Sequence, residues 1–172
     1  MKKLFFALFF SITFFAQQSL NAQIKEDVSS VDNVIKAVYE SISSEEGKEG
    51  DWERFRSLFT PDAQLFMLSS DAEKGAGYVE MSLADFIALS GSFSAKSGFY
   101  EYEIFRETQK FGQIAHVFST YGCKEKQSDK EPFLRGINSF QLVNDGNRWW
   151  IVNVTWQNEK EGFEIPEKYL SN

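Results

Sequence analysis

Side chains able to do chemistry are few in this sequence, and their spacing forms no catalytic motif. The chain has one histidine, His116, and one cysteine, Cys123. A lone cysteine rules out an intramolecular disulfide and a cysteine-rich metal site. One histidine without a cysteine partner does not supply the usual zinc ligands, so no metal centre is expected. The sequence contains no nucleophile elbow, phosphate loop or zinc-binding helix. That leaves proton transfer, with His116 and Asp62 as the groups to weigh. Asp62 follows Pro61 where a helix must end, and reads as a turn residue. Cys123 closes a strand and reads as a small half-buried hydrophobe rather than a reactive thiol. Arg135 and Asn138 lie on opposite faces of one strand. Arg135 is a possible anion ligand but reads as a surface charge. Asn153-Val154-Thr155 matches a glycosylation pattern, yet it falls inside a strand and reads as chance.

These residues must be positioned by an α+β chain. The clearest element is Leu134 to Gln157, two apolar β-rich runs joined at Asn144-Asp145-Gly146-Asn147, a strong hairpin pattern. Three of the four tryptophans, Trp149, Trp150 and Trp156, sit on its second strand. Alternation splits that strand. Trp149, Ile151, Asn153, Thr155 and Gln157 share one face. Trp150, Val152, Val154 and Trp156 share the other. On the strand Gln113 to Cys123, Ala115, Val117, Ser119 and Tyr121 share one face, and Ile114, His116, Phe118 and Thr120 the other. Phe99 to Glu107 also alternates, with Tyr100, Tyr102 and Ile104 opposite Glu101 and Glu103.

Helices precede these strands. Val31, Val34, Ile35, Val38 and Ile42 recur at helical spacing behind a Ser30 cap. A short second helix begins at Asp51 and presents Trp52, Phe55, Leu58 and Phe59. Leu65 to Leu68 is a short strand. Ser69 to Tyr78 reads as a mobile loop. Ser82 with Asp85 caps a third helix to about Leu89, and Gly91 to Gly98 reads as a linker. The tail from Asn158 is polar, with Phe163, Ile165, Tyr169 and Leu170 as loose anchors.

Residues 1–22 have the form of a secretory signal: Lys2 and Lys3, an apolar run from Leu4 to Ala16, and a small residue at Ala22. The run is too short for a bilayer, which takes roughly 20 residues. The expectation is cleavage after Ala22, leaving residues 23–172 as one domain in the periplasm or outside the cell, with no membrane partner. Loss of Lys2 and Lys3 takes the net charge from −7 to −9. An acidic domain argues against nucleic acid and anionic lipid as partners.

The helices-then-strands order, Asp51-Trp52 leading to Leu58-Phe59-Thr60-Pro61-Asp62-Ala63, Gln113-Ile114-Ala115, and Asp145-Gly146 before Arg148-Trp149-Trp150-Ile151-Val152 together resemble the NTF2-like superfamily, near its SnoaL-like branch. The resemblance covers about Val31 to Gln157. It implies a cone, in which three N-terminal helices pack on a strongly curved, mostly antiparallel sheet around a pocket. It implies that Ala115 faces the helices, so that His116 faces away. It places Tyr39, Trp52, Tyr121, Trp149, Asn153, Thr155 and Gln157 at the pocket. It places His116, Phe118, Trp150, Val152 and Trp156 on an outer face suited to a homodimer. Ketosteroid-isomerase-like members carry a base on the strand after the second helix and an oxyanion-holding tyrosine on the first. Tyr39 matches the tyrosine, but Leu65-Phe66-Met67-Leu68 holds no carboxylate. Cyclase-like members carry a late histidine where this chain has Asn153 to Gln157. The expected function is therefore non-catalytic binding of a small, largely apolar ligand, without a cofactor. An isomerase, lyase or cyclase and a protein-interaction module stand as alternatives, since one fold hosts many functions.

Overall fold

A computed structural model describes residues 22–71 and 75–171 of the chain. The expected signal segment lies outside the described residues apart from Ala22. Four helices are seen among the described residues, not three. Residues 22–27 form α1. Then come α2 (Val31–Ile42), α3 (Trp52–Ser57) and α4 (Leu83–Ser97). The strands are β1 (Phe59–Asp71), β2 (Gly75–Met81), β3 (Tyr100–Phe111), β4 (Ile114–Lys124), β5 (Leu134–Asn144) and β6 (Trp149–Asn158). They form one curved, unclosed sheet in the order β2-β1-β6-β5-β4-β3, with only the β1–β6 pair parallel. No helix among the described residues is long and apolar enough to cross a membrane.

The caps act as their sequence requires. Ser30 Oγ accepts from the Asn33 amide at 3.1 Å, and Asp51 Oδ1 from the Arg54 amide at 3.1 Å. Each satisfies an amide that the first turn leaves unpaired. The α2 stripe then buries Val31, Val34, Ile35, Val38 and Ile42 against the inner face of the sheet. Arg54 joins the N-terminal segment to α2 and α3. Its guanidinium bonds both Asp27 oxygens at 2.7 and 2.8 Å, and Glu40 at 2.7 Å.

Two loop expectations are corrected. Outside residues 72–74, which are not among the described residues, Ser69 to Tyr78 is strand and not a free loop. β1 runs on to Asp71 and pairs with β2 from Leu65↔Met81 to Asp71↔Gly75. At this sheet edge β2 is exposed along nearly its whole length, so it has no apolar alternation to read. Gly91 to Gly98 is not a linker either. α4 continues through its small residues to Ser97 and stops at Gly98, whose φ of 72° suits glycine. The capping box is present, with Ser82 and Asp85 bonding each other's amides.

The hairpin turn takes positive φ only at Gly146 (97°). Asp145 accepts from the Asn147 and Arg148 amides and from Trp150 Nε1, which ties the turn to the outer face of β6. The tail docks against that same outer face of the sheet. Ile165 is buried, and the Tyr169 ring lies 5.2 Å from Phe118 and 5.9 Å from Phe105.

Candidate functional site

Between the inner sheet face and α2, α3 and α4 lies a cavity of about 450 Å³. Its walls are apolar and aromatic. Val38 and Ile42 come from α2, Phe55 from α3, Phe86 from α4, Leu65 and Met67 from β1, and Val154 and Trp156 from β6. Phe55 stacks on Phe86 at 5.3 Å, and Phe86 meets Trp156 edge-on at 5.9 Å. The polar lining is small: Glu101, Tyr121, Cys123, Asn138, Asn158 and Ser90. A few convergent polar groups in an apolar chamber is the composition of a small-molecule site.

Glu101 is its one carboxyl, and sequence reasoning missed it. On β3 the glutamate face, not the tyrosine face, turns inward. Asn138 Nδ2 donates to Glu101 Oε1 at 3.1 Å, and the Cys123 thiol lies 3.8 Å from Oε2. Glu101 opens on the cavity on one side and on a groove on the other, and is half-buried between them. Burial therefore raises its pKa from 4.5 to about 7, against the pull of the Asn138 and Cys123 hydrogen bonds. Burial, then the nearby Glu101 charge, push Tyr121, Cys123 and Tyr39 well above their ordinary values, so these three stay neutral.

Behind Glu101 runs a directional hydrogen-bond chain. Ser119 Oγ donates to Glu103 at 2.6 Å, so Tyr39, 2.6 Å from that hydroxyl, must be its donor. Tyr39 Oη accepts in turn from Asn138 Nδ2 at 3.3 Å. Glu103 is neutralised by Arg106, whose Nε and Nη2 bond it at 2.8 and 2.7 Å. Arg106 also reaches Asp32 on α2 at 2.5 Å. The second glutamate of β3 thus has a guanidinium, and the first has none among the described residues.

Of the residues expected at the pocket, Tyr121 lines the cavity, and its hydroxyl donates to Asn158 Oδ1 at 2.6 Å. Tyr39 is buried beside it, in contact with Asn138, and lines a groove on the far side of Glu101. Trp52 packs edge-on against Phe55 and Trp149 is buried in the core; neither lines the cavity. Asn153, Thr155 and Gln157 lie on the outer face instead. Asn153 bonds the Gln64 carbonyl, and Thr155 and Gln157 line a shallow outer groove with Phe118 and Ile137.

The cause is a β-bulge. Gln141 pairs with Asn153 but Leu142 with Ile151, so Val152 is an extra residue. Parity therefore reverses within β6. Trp149 and Ile151 point inward before the bulge, and Val154, Trp156 and Asn158 after it. Trp156, expected at an outer interface, is a cavity wall. His116 and Phe118 do lie on the outer face, where His116 Nε2 is 3.0 Å from Ser139 Oγ and Phe118 sits under Tyr169. Trp150 stacks beneath the Arg148 guanidinium, 3.5 Å from the ring centre. On β1 the inward positions are Leu65 and Met67, so the place where a base was sought holds none.

No protein-family model and no curated protein sequence matches the chain. Solved structures do. An NTF2-like protein of unknown function from Shewanella baltica is 11% identical with a TM-score of 0.52, over 74% of this chain and 89% of that one. A candidate dehydratase of the NTF2-like family from Streptomyces avermitilis is 14% identical with a TM-score of 0.55, over 78% and 96%. A candidate ketosteroid isomerase from Parabacteroides distasonis is 14% identical with a TM-score of 0.52, over 78% and 97%. At such identities the likeness is one of architecture, and what it shows is that this chain has the NTF2-like fold.

Proposed function

We propose that the domain binds a small, largely apolar molecule in the inner cavity, with Glu101 and Asn138 as its polar contact. The observation that carries this reading is a single carboxyl in a largely apolar chamber of about 450 Å³. A carboxyl facing an apolar cavity weakens the fold, so its presence there favours a ligand role. The test is binding of Nile red, a neutral apolar dye, followed by fluorescence. Wild-type protein binds it, and Met67→Trp, which fills the chamber, does not. Equal binding by both places the dye elsewhere and overturns the reading.

A second reading has its own observation. A glutamate with a pKa of about 7 suits general acid–base work at neutral pH. Two of the similar folds are a candidate dehydratase and a candidate ketosteroid isomerase. In this reading Glu101 moves the proton and no other residue of the cavity replaces it. Exchange of carbon-bound hydrogen in the bound molecule in D2O, lost in Glu101→Gln, supports catalysis. Binding without exchange leaves a binder.

The domain is further proposed to be exported, with residues 1–22 removed as a signal. Val28 and Asp27 lie beyond that cut and anchor the fold, so cleavage leaves the structure whole. Mass spectrometry of protein from a secreting host checks the new N-terminus. The homodimer proposed for the outer face would now rest on His116, Trp150 and Val152, since Trp156 turns inward and Tyr169 covers Phe118.

A further inference from the structure

We propose that the cavity takes an organic cation: a small apolar amine whose ammonium group pairs with Glu101. This inference rests on the cavity reading above and names the ligand class.

Three of this chain's other buried or half-buried carboxylates show the contrast. Asp27 has Arg54 at 2.7 Å, Glu103 has Arg106 at 2.7 Å, and Glu159 has Arg135 at 2.8 Å. Each is matched by a guanidinium. Glu101 is half-buried, like Glu103 and Glu159, yet among the described residues no Lys, Arg or His stands within ion-pair distance. None lines the cavity either. The side of Glu101 without a cation is the cavity side, since the groove on its far side carries Lys36, Arg106 and Lys124.

The remaining lining narrows the choice. An anionic ligand would face Glu101 with no countercharge. A neutral ligand leaves the carboxyl as poorly solvated as before. An ammonium group satisfies it with a charge-assisted hydrogen bond, shielded from water by the aromatic walls. Those walls also favour a cation, because ring faces attract positive charge. Phe55, Phe86, Phe99, Phe140, Tyr121 and Trp156 line the chamber.

The pairing carries a pH signature. The ionisable groups facing Glu101 are Tyr39 from α2, and Tyr121 and Cys123 from β4. All three stay neutral through pH 8 because their pKa values are raised. β5 contributes the uncharged Asn138. On its own strand Glu103 is held by Arg106. Across the far groove Lys36, Glu40 and Lys124 line the rim. Glu101 is thus the group that titrates between pH 5 and 8. Amine affinity rises over that interval as the carboxyl ionises, and binding releases a proton below about pH 7.

The experiment is calorimetric titration of the domain with three matched probes: n-hexylamine, n-hexanol and hexanoate. At pH 8 hexylamine is expected to bind roughly tenfold tighter than hexanol, the scale of one charge-assisted bond. Hexanoate is expected not to bind. Between pH 5 and 8 only the amine's affinity should rise, and Glu101→Gln should bring amine and alcohol level. Hexanol binding as tightly as hexylamine in the wild-type protein overturns the cation inference and leaves the cavity reading standing. Failure of all three probes and of Nile red overturns both. The wild-type series decides the matter even if the variant does not fold.

Discussion

One nitrogen of Asn138 holds Glu101 and Tyr39 together: Nδ2 lies 3.1 Å from Glu101 Oε1 and 3.3 Å from Tyr39 Oη. Both amide hydrogens are therefore committed. Oε1 of Glu101 must accept, so a proton on the carboxyl sits on Oε2, toward Cys123. The geometry fixes which oxygen is free to change state and which stays anchored to the wall.

Replacing Glu101 by Gln should change stability in a pH-dependent way. The folded pKa, about 7, lies above the ordinary 4.5. The folded state then holds a proton that the unfolded state has lost, so wild-type stability falls as pH rises from about 4.5 to about 7. The shift corresponds to at most about 3 kcal/mol. Glu101→Gln, which keeps an acceptor for Asn138, should gain on the wild type by up to that amount between pH 4 and pH 8. Urea unfolding at the two pH values measures it; a pH-independent difference contradicts it.

Asn138→Leu should remove both bonds while keeping the bulk. The expected destabilisation is about 1–3 kcal/mol, because Tyr39 and Glu101 each lose a donor in a buried setting. The Glu101 carboxyl should also titrate higher, since the bond from Asn138 holds its pKa down. Carbon-detected NMR reads that shift.

Trimming the N-terminus should separate the proposed signal from the fold. A chain starting at Gln23 keeps the Asp27–Arg54 pair and the buried Val28. A chain starting at Ser29 leaves Arg54, about 10% exposed, with only Glu40. It should lose several kcal/mol, as buried pairs do when one partner goes, about 3–5 kcal/mol. Thermal unfolding of the two chains compares them.

Deleting residues 162–172 should uncover Phe118 and Phe105, which Tyr169 covers. Newly exposed apolar surface favours self-association. The truncated domain should elute earlier and with concentration dependence in gel filtration; unchanged elution would show that the tail shields nothing.

Much of the architecture is legible in the sequence where one strand face is apolar and the other is not. On β4 the small and apolar Ala115, Val117 and Tyr121 declare their face, and the structure buries them with Ser119. β6 gives no such sign. Both of its faces carry large apolar side chains, so the one-residue bulge at Val152 leaves no mark in the pattern, and every later position swaps sides. Glu101 is hidden for a related reason. β3 alternates aromatic with acidic residues, and the ordinary rule sends carboxylates outward. Here the inner face is the acidic one, made tolerable by Asn138, Ser119 and Arg106, which come from other strands or lie beyond the local alternation. Gly136 is a rare local clue. A side chain there would run into the Tyr121 ring and the Gln157 carbonyl, so β5 must carry glycine where Tyr121 crosses it.

The most direct test of the account is an NMR titration of the Glu101 side-chain carboxyl in the ligand-free domain. A midpoint near pH 7 is predicted, since the carboxyl faces an apolar chamber without a cation. A midpoint at or below 4.5 would mean that the group is solvated or ion-paired, and would contradict both the cavity and the role assigned to Glu101 within it.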